Sequence, residues 1–127
     1  MSLAHDEVRA RIDAIEESYE FFLAYAAQGL TTDQGAKSGG QLRDFLRRAE
    51  TAVDGLADHL AEATGESDGW GPMVAVVRSD AEASLAALRL VSARPGVSSQ
   101  LIDNLNANIH LRALLTDLFL VDDLLES

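Results

Sequence analysis

The sequence predicts an all-α protein, specifically a four-helix bundle with up-down-up-down antiparallel topology. Three observations favour this class. Apolar residues recur three and four positions apart through most of the chain, which is the spacing of one helix face. The chain has only two prolines and is 47% hydrophobic, and no stretch alternates apolar and polar residues between hairpin turn signals. Its 127 residues are expected to form one domain, residues 1–127, with its own core.

The first predicted helix spans residues 3–29 and ends at Gly29, a residue type common at helix C-termini. Its core line has the spacing of a coiled-coil seam. The line consists of Val8, Ile12, Ile15, Tyr19, Phe22 and Ala26. Phe21 and Tyr25 lie about 100–120° round the helix from this line. Two large aromatic side chains in that position predict contact with something beyond the adjacent helices.

The second predicted helix spans residues 40–63, and Ser38 with Gln41 has the spacing of a capping box at its start. The expected core line, with Leu46 beside it, consists of Leu42, Phe45, Ala49, Val53, Leu56, Leu60 and Ala63. The preceding loop superficially resembles a phosphate-binding loop. Because Ala36 is inserted into that pattern and no strand precedes it, we interpret the loop as a connection.

The third predicted helix spans residues 72–93, and the following Arg94-Pro95-Gly96 ends it abruptly. Its core line is expected at Val74, Val77, Ala81, Leu85 and Leu88. A second, shallower apolar stripe consists of Val76, Ala83, Ala87 and Leu90. The small residues in this stripe would let another backbone come close.

The fourth predicted helix spans residues 98–125, with Ser98 or Ser99 as its cap. Its apolar side changes direction halfway along. Up to Ile109 the apolar residues share one side, whereas from Leu111 onward they cover nearly the whole circumference. A helix that is apolar nearly all round is buried nearly all round, which predicts a covering partner. A kink that bends the last segment across the bundle is the alternative.

Counting apolar faces predicts self-association. An isolated four-helix bundle needs one apolar stripe on each helix, yet the first, third and fourth predicted helices carry more than one. A symmetric homodimer is the commonest closed arrangement that covers such surfaces. The predicted interface residues are Phe21, Tyr25, Val76, Leu90, Leu118, Val121 and Leu125.

The charge and composition exclude several partners. A formal net charge of −11 argues against direct binding of the nucleic-acid backbone. Arg43, Arg47 and Arg48 form the one basic cluster, which we interpret as a solvated face, with an anion or acidic-peptide site as the alternative. The absence of cysteine excludes disulfides and fits a cytoplasmic protein. The acidic N-terminus is not expected to be a signal peptide, and no apolar run is long enough to span a membrane.

Residue patterns that carry chemistry are sparse. The Glu-x-x-His pairs of carboxylate-bridged metal centres do not occur, so neither a metal nor another cofactor is expected. Asp103 and Asp117 lie seven residues before and after His110, which would place all three on one helix face as a speculative polar site. No nucleophile motif is present, and we therefore do not expect an enzyme.

Three asparagines interrupt the fourth predicted helix, although asparagine is a poor helix former. Asn104 and Asn108 lie near the edge of its core side, with Asn106 between them. Buried polar residues can fix the register between helices at some cost in stability. We interpret these residues as such a layer.

Together these features predict a non-catalytic accessory or regulatory protein that acts through protein–protein interaction and self-association. A metal-binding or small-molecule-binding bundle with a site between its helices is the first alternative. A histidine phosphotransfer protein that uses His110 is the second.

Overall fold

The computed structural model describes residues 2–65 and 67–126, with the backbone alone at residue 126. Its six helices are α1 Leu3–Ala26, α2 Gly39–Val53, α3 Leu56–Thr64, α4 Trp70–Ser92, α5 Ser99–Ala107 and α6 Ile109–Glu126. Within the described residues 79% are helical and none forms a strand. The all-α prediction is therefore confirmed. The prediction of four continuous helices is wrong, because the second and fourth are each divided.

The second predicted helix is divided at Asp54-Gly55, where Gly55 adopts a φ of +85° that other residues rarely adopt. The end of α2 therefore leaves carbonyl oxygens without helical partners. Arg11 of α1 supplies the missing hydrogen-bond donor. Its Nη1 atom donates to the carbonyls of Thr51, Ala52 and Asp54 at 2.9, 3.1 and 2.7 Å. The guanidinium thus stabilises the break and ties α1 to it.

The fourth predicted helix is divided at Asn108, whose Oδ1 accepts from the backbone amides of His110 and Leu111 at 3.0 and 3.2 Å. This is the geometry of an N-cap, so α6 begins as a new helix. The buried apolar residues of α6 are Leu111, Leu114, Leu115, Leu118, Val121 and Leu125. A break in the chain thus accounts for the change of apolar side, and these six residues are buried by the chain itself.

The helix ends differ from the sequence expectations by a few residues. The first helix ends at Ala26 rather than Gly29, and the third predicted helix begins at Trp70 rather than residue 72. Ser38 does not cap α2, because its hydroxyl donates to Oε1 of Gln28 at 2.8 Å. Ser98 does cap α5, since its Oγ accepts from a backbone amide one turn later, at 3.0 Å.

The helices pack so that α1 and α4 each contact α2, α3, α5 and α6. Both halves of each divided helix therefore lie against the same two long helices. In α1 the buried apolar residues are Val8, Ile12, Ile15, Phe22 and Tyr25. Four of these belong to the core line predicted for this helix. No helix of the described part is both long and apolar enough to cross a membrane.

Candidate interaction surfaces

Four of the predicted interface residues lie inside the core of the single chain. Tyr25, Leu118 and Val121 have no exposed surface, and Leu125 is nearly as buried. Phe21 is half-buried and packs against the core. These side chains are therefore covered by the chain's own helices, which leaves Val76 and Leu90 as the exposed members of the predicted set.

The two aromatic residues of α1 find their partners within the chain. The ring of Phe21 stacks on that of Phe45 in α2, with centroids 4.5 Å apart and an interplanar angle of 18°. The hydroxyl of Tyr25 donates to the carbonyl of Val97, before α5, at 2.7 Å. These two side chains thus contact α2 and the segment that leads into α5, rather than something beyond the adjacent helices as predicted.

An exposed apolar face lies on α4 and α6. Leu90 is 70% exposed and Val76 is 47% exposed on α4, while Ile109 is 73% and Leu120 51% exposed on α6. Leu124 adds a further exposed side chain one turn after Leu120. We call these five residues the α4–α6 face. Exposed apolar groups of this number on two neighbouring helices are typical of an interaction surface.

The register between α4 and α6 makes this face continuous. The hydroxyl of Ser84 on α4 donates to the carbonyl of His110 on α6 at 3.0 Å. Further along, the carboxyl group of Asp80 on α4 neighbours that of Asp117 on α6. Residue numbers thus fall on α4 as they rise on α6, as in an antiparallel pair. Val76 therefore lies towards Leu120, and Leu90 lies towards Ile109.

Asp80 and Asp117 form a carboxyl pair in the seam between these two helices. Burial and the neighbouring Asp80 raise the pKa of Asp117 to about 7. The Oδ2 atom of Asp117 is buried and has no donor while both groups are ionised. A proton held between the two carboxyls supplies that donor and removes the repulsion.

We expect Asp117→Asn to raise the free energy of unfolding at about pH 8 and to flatten its pH dependence between about 4 and 7. Asp117 has a pKa of about 7 in the folded protein, above the ~3.9 of an unfolded aspartate. The native state thus binds more protons in this window, and the stability of the unmodified protein falls as the pH rises through it.

Urea unfolding followed by circular dichroism at about pH 5 and about pH 8 measures this effect. Asp103→Asn is the control, because Asp103 is an exposed carboxylate on α5. It should leave the difference between the two pH values unchanged. The explanation fails if Asp117→Asn also leaves that difference unchanged.

The speculative polar site is not assembled as a continuous helix face. Asp103 lies on α5, whereas His110 and Asp117 lie on α6, beyond the break at Asn108. Asp103 and His110 are exposed, and Asp117 pairs with Asp80 instead. Among the described residues, no three His, Asp or Glu side chains are grouped closely enough to hold a metal ion.

The asparagines take other positions than the predicted layer. Asn104 is exposed and Asn108 caps α6, whereas Asn106 is only 5% exposed. Both polar side-chain atoms of Asn106 are buried without a hydrogen-bond partner. A buried amide in this state lowers the stability of a fold. Residue spacing alone did not reveal which asparagine is buried.

A polar network, here called the interloop clamp, joins the connection before α2 to the connection before α5. The carboxylate of Asp33 accepts from Nε and Nη2 of Arg43 at 2.8 and 3.3 Å and from the amide of Val97 at 2.7 Å. Arg43 also donates to the carbonyls of Ser92 and Arg94 at 2.9 Å each. The hydrogen bonds from Arg43 hold the pKa of Asp33 below its ordinary value, although burial opposes them. Arg43 is therefore not part of a solvated basic face.

A trough of about 780 Å³ runs between α1 and α2. Its lining residues are Glu7, Ala10, Arg11 and Ala14 of α1 with Gln41, Asp44, Phe45, Arg47, Arg48, Thr51 and Ala52 of α2. Arg48 pairs with Glu17 of α1 at 2.9 Å, and its guanidinium lies 4.8 Å from the centroid of the Phe45 ring. Arg47 pairs with Asp44 on the same helix.

The trough was not expected from the core line of the second predicted helix. That line contained Phe45, but Leu46 is the residue that is fully buried, whereas Phe45 is half-buried. The available signal was the pair of adjacent apolar residues, which lie about 100° apart on a helix and therefore need not be equally buried.

The geometry thus defines an all-α protein with an exposed apolar face and a trough with arginines at its rim. Comparison of the chain with protein-family models, with curated proteins and with solved structures finds no match. These two surfaces are therefore the candidate sites of its function.

Proposed function

We propose that this chain is a non-catalytic accessory or regulatory protein that forms a homodimer through the α4–α6 face and binds another protein. The observation that carries this proposal is the exposure of five large apolar side chains on two adjacent helices. An apolar patch on the order of several hundred Å² is at the upper end of what a soluble monomer exposes. A twofold axis would let one such patch cover another.

The arrangement of the helices supports the same proposal. We propose that each divided helix serves as one arm of an antiparallel four-arm bundle, with α2–α3 and α5–α6 packed between α1 and α4. In such a bundle the outer sides of α4 and α6 form one broad surface, which suits the docking of a second bundle. The absence of cysteine supports a reducing, cytoplasmic location.

The two alternatives gain no supporting observation. Metal binding between the helices would require grouped ligands, and the described residues contain no such group of three. Phosphotransfer would use His110, which is exposed at the start of α6 while its carbonyl accepts from Ser84. Neither its exposure nor this hydrogen bond distinguishes His110 from an ordinary surface histidine.

Light scattering and sedimentation at about 100 µM protein test the dimer. We expect the unmodified protein to have twice the 13.6 kDa mass of one chain. Leu120→Glu should give a folded monomer, because a charge buried in the interface would cost several kcal/mol. Position 118 cannot serve for this test, since Leu118 lies in the core and a charge there would disrupt folding.

Leu23→Glu is the matched control, because Leu23 is 48% exposed on α1, outside the α4–α6 face. This variant should remain dimeric. A monodisperse monomer for the unmodified protein would refute the proposed dimer, as would equal dissociation of the Leu23 and Leu120 variants.

A further inference from the structure

We infer that the trough between α1 and α2 is a docking site for an acidic amphipathic helix of a partner protein. This inference rests on the proposed function only in that the protein acts by binding other proteins. The trough and the α4–α6 face share no helix, so one surface can be occupied while the other is covered.

The shape of the trough favours a rod-shaped occupant. All of its lining residues belong to α1 and α2, so its walls are two helices and no loop closes over it. From Gln41 to Ala52 the lining extends along α2 for roughly 16 Å, or about three helical turns. A small molecule would stay exposed along one whole side, whereas a helix laid in the trough buries only one of its own sides.

The floor of the trough is apolar and shallow. Ala10 and Ala14 of α1 and Ala52 of α2 present small side chains, and Phe45 presents part of its ring. Small side chains let the backbone of a third helix come close to the first two. The ring of Phe45 is held by its stack with Phe21, so it offers a rigid apolar anchor.

The charge at the rim determines the chemistry of the occupant. Three of the ten basic residues of the chain line this trough, against two carboxylates, although the whole chain carries a net charge of −11. Arg11 is committed to the end of α2 and to Nε2 of His59 at 3.1 Å. Arg47 and Arg48 are therefore the arginines that can face an occupant.

The ion pairs of these two arginines can be exchanged. The side chain of Arg47 is 68% exposed and that of Arg48 is 48% exposed, and the carboxylates that they contact are exposed as well. Exposed pairs contribute little to stability, so a carboxylate on a docked helix can replace the internal partner. At physiological salt the repulsion from the rest of the acidic surface is screened beyond about 8 Å, so the local arginines dominate at contact.

Fluorescence anisotropy with two labelled synthetic helices tests the inference. Both peptides have about 18 residues, which is long enough for partial helicity, and carry the same Leu and Ala side. One has Glu at the flanking positions and the other has Lys. We expect the Glu peptide to bind the full-length protein with a dissociation constant of about 100 µM or tighter and to weaken at high salt. The Lys peptide should bind at least about tenfold more weakly.

Variants of the protein locate the binding site. Arg48→Glu should weaken binding of the Glu peptide about tenfold or more, while Arg78→Glu should leave it within about twofold. The two changes alter the net charge equally, and both arginines are similarly exposed and paired with an exposed carboxylate, Glu17 and Asp58 respectively. Ala10→Glu should also weaken binding without affecting the fold, because Ala10 is an exposed part of the lining.

Three results would overturn the inference: no saturation by the Glu peptide up to about 1 mM, equal or tighter binding of the Lys peptide, or equal weakening by the Arg48 and Arg78 variants. If Ala10→Glu converts a dimer to a monomer, the trough holds a second copy and the inference also fails. Failure of the proposed dimer is a separate outcome, because the Leu120→Glu monomer should still bind the Glu peptide.

Discussion

Replacing Gly39 by alanine is expected to destabilise the protein by roughly 3 kcal/mol, whereas the same change at Gly40 is expected to stabilise it by roughly 0.5–1 kcal/mol. A Cβ atom on Gly39 would lie 1.9 Å from the carbonyl oxygen of Asp33 and 2.8 Å from its carbonyl carbon. These are backbone atoms, so no side-chain rotation can relieve the overlap. The start of α2 and the preceding loop would have to move apart.

That movement would disturb more than one contact. The carboxylate of Asp33 accepts hydrogen bonds from Arg43 and from the amide of Val97. A shift of the Asp33 backbone would therefore distort the hydrogen bonds of the interloop clamp. Overpacking in a well-packed region typically costs 1–3 kcal/mol, and the loss of clamp geometry would add to it. We therefore place the effect at the upper end of that range.

Gly40 provides the matched control because it is adjacent and lies in the same first turn of α2. A Cβ atom there meets no heavy atom within 4 Å. Alanine lowers the backbone entropy of the unfolded chain and favours the helix, which explains the opposite sign. Urea unfolding of both variants measures the contrast. A Gly39→Ala protein as stable as the Gly40→Ala protein would contradict this account of the α2 start.

Local patterns in the sequence were sufficient to predict the helices but not the breaks between them. The core line of α1 was readable because Val8, Ile12, Ile15 and Phe22 follow one uninterrupted period. The division of the second predicted helix was signalled by Asp54-Gly55, a common turn dipeptide. The apolar line continues past these two residues, and for that reason one continuous helix was predicted.

In the fourth predicted helix the irregularity was noticed, but its cause was not. The change of its apolar side was visible in the sequence. A partner that covers the additional apolar side would produce this pattern, and so would a break in the helix. Asn108 marks the break through its capping hydrogen bonds. Asparagine is a strong N-cap residue, and this preference could have located the start of α6.

The candidate surfaces were less accessible to prediction than the helices. The trough depends on which of Phe45 and Leu46 faces the core, and the packing of α2 on α1 decides it. The interloop clamp joins Asp33 to Arg43 and, across 64 residues, to Val97. No local period links such distant positions. In the sequence, Arg43 is therefore indistinguishable from its exposed neighbours Arg47 and Arg48, and only the packing of the two loops reveals its different role.

The interloop clamp gives the other large expected effect. We expect Asp33→Ala to destabilise the protein by about 3 kcal/mol, because it leaves Arg43 without its carboxylate and the amide of Val97 without its acceptor. Asp33 is only 7% exposed, whereas Arg43 keeps carbonyl acceptors at Ser92 and elsewhere. These remaining acceptors place the effect at the low end of the range for a broken buried pair.

Asp44→Ala on α2 is the control, because Asp44 and its partner Arg47 are both largely exposed. Its removal should change stability by no more than about 0.5 kcal/mol. The ratio of the two effects, measured by urea unfolding near neutral pH, separates the clamp from an ordinary surface pair. Equal effects would show that the clamp contributes no more than solvent-exposed charge.

The clamp also predicts a loss of stability in acid, opposite in sign to the effect of Asp117. The pKa of folded Asp33 is lowered by Arg43, so its contribution is present above the ~3.9 of the unfolded aspartate and is lost as the pH falls through the folded value. Asp117 destabilises the fold as the pH rises between about 4 and 7. Considering these two groups alone, stability should be greatest near pH 4 and decline on both sides. Asp33→Ala should remove the acid-side decline while leaving the decline towards neutral pH, and a variant that retains both would refute the assignment.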